Sequence, residues 1–159
     1  MKTNLILLSF LLSAINCFAS KTPNIILILA DDMGPGEPSH MGGLVPTPAL
    51  DRMAKEGMRF TDAHTTSSVC TPTRYGILTG RYNWRSRLKR GVLVKASSQA
   101  LMDPNRVNLP NFLQHNGYHT GIVGKWHLGA DWELLEKPPK APDRKDDSWR
   151  VDYSKPFRN

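Results

Sequence analysis

The run Asn24 to Ala30, NIILILA, ends abruptly on Asp31-Asp32. It is short, continuous and rich in isoleucine and leucine, with Pro23 before it and two carboxylates after it. That pattern predicts a strand buried on both faces, because a strand with one wet face would alternate apolar and polar residues. Strands of this kind lie in parallel sheets with helices packed on either side. The run therefore points to an α/β architecture.

The remaining punctuation fits that design. Residues 31–46 hold three prolines and four glycines and read as loop. Thr47 is placed to cap a helix and Pro48 to open it, with Leu50, Met53 and Ala54 on one face and Gly57 closing it. A short strand is expected near Met58 to Ala63. Thr71 to Thr79 reads as a helix with Pro72 just inside its start and Gly80 just past its end. Residues 81–106 are mixed and basic and receive no assignment. Asn108 caps a helix over Leu109 to Asn116 that ends at Gly117, and Tyr118 to Val123 reads as another strand. Strands alternating with helices imply an α/β domain over residues 20–130, with a largely parallel sheet flanked by helices. Beyond Ala130, four prolines and seven charges of each sign with no apolar period mark 131–159 as an irregular segment.

The first nineteen residues set the compartment. One lysine, an apolar stretch from Leu5 to Ile15 and a small residue at Ala19 have the layout of a secretory signal peptide. Eleven residues at about 1.5 Å each fall short of a bilayer core of about 30 Å, so no stable membrane anchor is expected. The mature protein is expected to be secreted or periplasmic. Cleavage removes Cys17 and leaves Cys70 without a partner, and an unpaired thiol in an oxidising compartment needs an explanation. The net charge of +7 favours an anionic partner. Nucleic acid is a poor candidate for an exported chain. Arg81 to Lys95 carries six basic and no acidic residues; a solvated loop is the favoured reading, contact with a sulfated polymer the other. His40, His64, His115 and His119 have no motif behind them and read as surface or structural.

Three short motifs can carry chemistry. Asp31-Asp32 follows the first strand, where ligands bind in open α/β sheets. Adjacent carboxylates repel unless a cation or donors compensate, so the pair is either a hard-cation site or a turn or helix-capping pair. Cys70 opens a helix with Arg74 one turn on, a place that favours negative charge; a buried, inert thiol is the alternative. Lys125 and His127, two apart in Gly124-Lys125-Trp126-His127-Leu128-Gly129, suit an anion and a proton, although singly each reads as an ordinary loop residue. In a parallel sheet all three motifs gather on one rim, and together they make the apparatus of phosphoryl- or sulfuryl-ester hydrolysis.

NIILILADD, Cys70-Thr71-Pro72-Thr73-Arg74 continuing to Leu78-Thr79-Gly80, and GKWHLG in this order closely resemble the sulfatase family, most nearly secreted arylsulfatases of bacterial type. The resemblance covers roughly residues 22–158. It implies the α/β fold of the alkaline-phosphatase-like superfamily. It also implies that a maturation enzyme oxidises Cys70 to Cα-formylglycine, whose hydrate attacks the sulfur of a sulfate ester and then expels sulfate. Asp31, Asp32 and the modified Cys70 would bind calcium. Arg74 would hold the hydrate, Lys125 would contact the sulfate, and His127 would act on a hydroxyl proton. The implied substrate is a sulfated small molecule or polysaccharide. Family members draw further metal ligands, a second lysine and another histidine from later in the chain, so an incomplete N-terminal part is expected here. A phosphonate or phosphate ester hydrolase of the same superfamily, or an inactive anion-binding fragment, are the alternatives.

Overall fold

The computed structural model describes residues 22–95, 97–136, 151–152 and 154–155. The expected signal peptide, with Cys17, lies outside the described residues, as does most of the segment after residue 136. No helix among the described residues is long and apolar enough to cross a membrane.

Three helices form where the local rules place them. Helix α1 runs Pro48–Glu56 between Thr47 and Gly57. Thr47 does not cap through its side chain. Its hydroxyl instead joins a knot with Ser39 and Asp51, in which Ser39 Oγ donates to Asp51 Oδ2 at 2.7 Å and the His40 amide to Oδ1 at 2.9 Å. This knot ties the preceding loop to the first turn of α1. It also holds the Asp51 carboxyl below its ordinary range, chiefly through the Ser39 hydroxyl and then through His40 and Thr47. A lowered folded value contributes stability above the unfolded carboxylate range, lost as pH falls through the folded value. Asp51→Asn is accordingly expected to remove one acid-sensitive component from the pH profile of unfolding followed by circular dichroism. Parallel acid limbs for variant and parent would refute that role.

Helix α2 runs Cys70–Thr79. Pro72 sits in the first turn, where its missing N–H has no partner to lose. Gly80, at φ 64°, closes the helix by donating to the Gly76 carbonyl at 2.8 Å. Helix α3 runs Leu109–His115, with Asn108 accepting the Asn111 amide at 2.9 Å.

The strands are a different matter. Residues 24–30, 58–63 and 118–123 form no ladder among the described residues; Leu134 and Val151 pair in an isolated antiparallel bridge. The run expected to be buried on both faces is exposed, Ile26 by 82% and Ile28 by 75%, and Val123 is wholly exposed. A helix closes its own hydrogen bonds, whereas a strand exists only through its neighbours. The described residues supply no neighbour to these runs. Helix α1 likewise has no buried residue, so Leu50 and Ala54 are half-covered and Met53 is exposed.

The packed centre lies instead under α2. Tyr75, Leu101 and Leu128 are buried together, with Leu78, Leu88, Leu93, Met102 and Trp126 against them. Each fully buried side chain of this kind contributes roughly 1.5–3 kcal/mol. Two backbone bonds clamp the two loops of this core: Leu101 N–H to the Leu128 carbonyl at 2.8 Å, and Ala130 N–H to the Ser98 carbonyl at 3.0 Å. The unassigned basic segment is thereby drawn in. Leu88 and Leu93 pack inward while Arg85, Arg87, Lys89, Arg90 and Lys95 remain exposed.

Candidate active site

Cys70 is the first residue of α2 and is a half-buried free thiol. Arg74, one turn later, projects from the same end of the helix into a junction of three segments. Its guanidinium donates through one terminal nitrogen to the Lys125 carbonyl at 2.6 Å and through the other to Asp31 Oδ1 at 3.3 Å. Lys125 Nζ donates to the second oxygen, Asp31 Oδ2, at 2.7 Å. Residues 43, 51 and 94 positions apart in sequence are joined by these three bonds. Of the residues expected on one rim, Asp31, Arg74 and Lys125 thus come together, and no sheet forms among the described residues.

The electrostatics follow from this geometry. The Lys125 ammonium, and after it Arg74, holds the Asp31 carboxyl below its usual range. The Asp31 carboxylate in turn raises Lys125, chiefly through their hydrogen bond, and a thiolate at Cys70 would act in the same direction. Lys125 is thus a fixed cation within electrostatic reach of the position-70 side chain.

His127 is held differently. Its Nε2 meets the Leu93 carbonyl at 2.7 Å, while its Nδ1 is buried without a partner among the described residues. Arg74 Nε is buried and unpartnered in the same sense. Buried polar atoms without partners are uncommon, and functional sites are one place where they persist. Backbone conformation marks the same place: among the described residues, Asp32 (φ 57°) and His127 (φ 55°) are the non-glycine residues with positive φ. A cavity of about 310 Å³ lies elsewhere, beyond the far end of α2, between Tyr75, Thr79, Arg81 and Arg106.

The sulfatase family profile matches residues 23–134. That span contains every motif just described. The chain belongs to the sulfatase family. It is 45% identical over 111 residues to N-acetylgalactosamine-6-O-sulfatase of Bacteroides thetaiotaomicron, covering 69% of this chain and 21% of that protein. Human arylsulfatase G is 44% identical over 118 residues, 71% of this chain and 22% of its own length. Rat steryl-sulfatase is 40% identical over 147 residues, 87% and 26% respectively. The chain thus spans about a fifth to a quarter of these relatives. Sulfatase membership implies an alkaline-phosphatase-like α/β fold, of which the described residues show helices but no sheet.

The calcium implied by the sulfatase resemblance does not fit the described residues alone. No group of three or more potential ligands that could hold a metal occurs among them. Asp31 and Asp32 offer two carboxylates, and both oxygens of Asp31 already accept from cations. Calcium takes 6–8 oxygen ligands. Asp31, Asp32 and Cys70 accordingly remain expectations as metal ligands.

Sequence reasoning found Asp31, Arg74 and Lys125, which the structure brings together, and His127, which it places on a separate bond to Leu93. It missed Thr71 and Leu93. Thr71 is fully buried, and its hydroxyl accepts the Leu93 amide at 3.3 Å. Nothing in a lone leucine within a basic loop signals a backbone contact of this kind.

Proposed function

We propose that this segment carries the nucleophile-bearing part of a secreted or periplasmic sulfate ester hydrolase, with Cys70 matured to Cα-formylglycine. The supporting observation is the junction at Asp31, where Arg74 and Lys125 meet one carboxylate beside the start of α2. The environment of Cys70 suits that modification: a half-buried free thiol at a helix start, with an unpartnered buried N–H on Arg74 one turn away. Hydrated formylglycine supplies one hydroxyl to displace the alcohol from sulfur and a second whose deprotonation expels sulfate and restores the aldehyde.

This chain's own residues do the rest. Arg74 Nε donates to an oxygen at position 70 and keeps it oriented. Lys125, fixed by Asp31, carries the positive charge that offsets the sulfate group as its oxygens gain charge. His127 Nδ1 takes the hydroxyl proton. The substrate is a sulfated small molecule or polysaccharide, the class suggested by relatives named for a sulfated amino sugar and for steryl sulfate.

Peptide mapping tests the proposal directly. Arg59 and Arg74 bound a tryptic peptide, residues 60–74, that contains Cys70 and no other basic cleavage site. Co-expression with a formylglycine-generating enzyme is expected to give this peptide with an aldehyde in place of the thiol, trapped by a hydrazide probe. A thiol that stays fully alkylatable under those conditions would overturn the mechanism.

A further inference from the structure

We infer that the Leu93 peptide group is a positioning element that fixes His127 as the Nε2–H tautomer, leaving Nδ1 as the ring's basic nitrogen. The inference deepens the proposed function, since it rests on His127 being the group that moves a proton. A carbonyl oxygen only accepts, so the 2.7 Å contact between Nε2 and the Leu93 carbonyl requires the proton on Nε2. In neutral imidazole the other nitrogen then carries the lone pair. That nitrogen is the buried, unpartnered Nδ1.

Leu93 is itself held at both ends of its backbone. Its amide donates to Thr71 Oγ1 at 3.3 Å, and Thr71 is wholly buried beside Cys70 on α2. Its side chain packs against the core formed by Tyr75, Leu101 and Leu128. One residue of the basic loop therefore links the nucleophile's neighbour to the proton acceptor, by hydrogen bonds that span 22 and 34 positions. The proton passes from a hydroxyl at position 70 to Nδ1, giving an imidazolium that returns it on turnover. Neither Thr71 nor Leu93 touches substrate in this account; both act through His127.

The test is long-range ¹H–¹⁵N correlation spectroscopy on the full chain labelled at histidine. His127 is assigned by the signal lost in His127→Gln. For the neutral ring the expected pattern is a pyrrole-like ¹⁵N shift at Nε2 and a pyridine-like shift at Nδ1. An Nδ1–H ring, or the averaged shifts of free imidazole, would overturn the inference. Thr71→Val, which keeps the side chain's shape but removes the acceptor for Leu93, is expected to move both shifts toward the averaged values, and Thr71→Ser to restore them. Unchanged shifts in Thr71→Val would refute the link through Leu93. These readouts need neither maturation of Cys70 nor hydrolysis. A chain whose peptide 60–74 stays unmodified can therefore still show the tautomer, and the two failures are told apart.

Discussion

Cys70→Ala is expected to abolish hydrolysis of an aryl sulfate wherever this segment forms part of an active polypeptide of its relatives' length. Alanine offers no sulfur to oxidise and therefore no hydroxyl to attack with. Removing the nucleophile of a covalent mechanism lowers kcat by about 10⁴-fold or more. Affinity for a sulfate ester should change far less, because Lys125 and Arg74 keep their hold on Asp31. Position 70 is only half-buried, so the substitution leaves a small void and the packing beneath α2 intact. Turnover within tenfold of the parent would refute Cys70 as the source of the nucleophile.

Gly129→Ala is expected to destabilise the fold strongly. Gly129 sits at φ +69°, and a methyl group there would run into the Gln99 and Ser98 carbonyl oxygens. Both obstacles are backbone, in the clamp that joins residues 98–101 to 128–130. Strain at a left-handed position together with a clash that only main-chain movement relieves costs about 2–4 kcal/mol. Gly117→Ala is the control. It shares a positive φ, 83°, but has open space around the added methyl, so only the conformational cost of about 1 kcal/mol applies. Denaturant unfolding monitored through tryptophan fluorescence compares the two. Equal losses would show that close approach at Gly129 contributes nothing.

The helices were legible because their signals are local. Thr47-Pro48 to Gly57, Pro72 to Gly80 and Asn108 to Gly117 each bracket one helix in the structure. Even there the sequence mistook the part played by Thr47, whose hydroxyl binds Ser39 and Asp51 rather than the end of α1. The strands were not recoverable in the same way. NIILILA has the composition of a doubly buried strand, but composition cannot supply the neighbours and cover that make one.

The site divides along the same line. Charged side chains at strand ends and a helix start draw notice by residue type and placement, and the roles of Asp31, Arg74 and Lys125 came from the sulfatase resemblance. Main-chain groups carry no such mark. The Leu93 carbonyl and amide are identical in type to those of every other residue, and only the fold reveals that they meet His127 and Thr71.

Asp32 and His127 both take the left-handed backbone conformation, at φ 57° and 55°. Glycine would adopt it with less strain, but glycine has no carboxylate and no imidazole. On the proposed role of His127, the demands of durability and of reactivity pull in opposite directions there. Substitutions that make the chain hardier there should be the ones that leave it chemically mute.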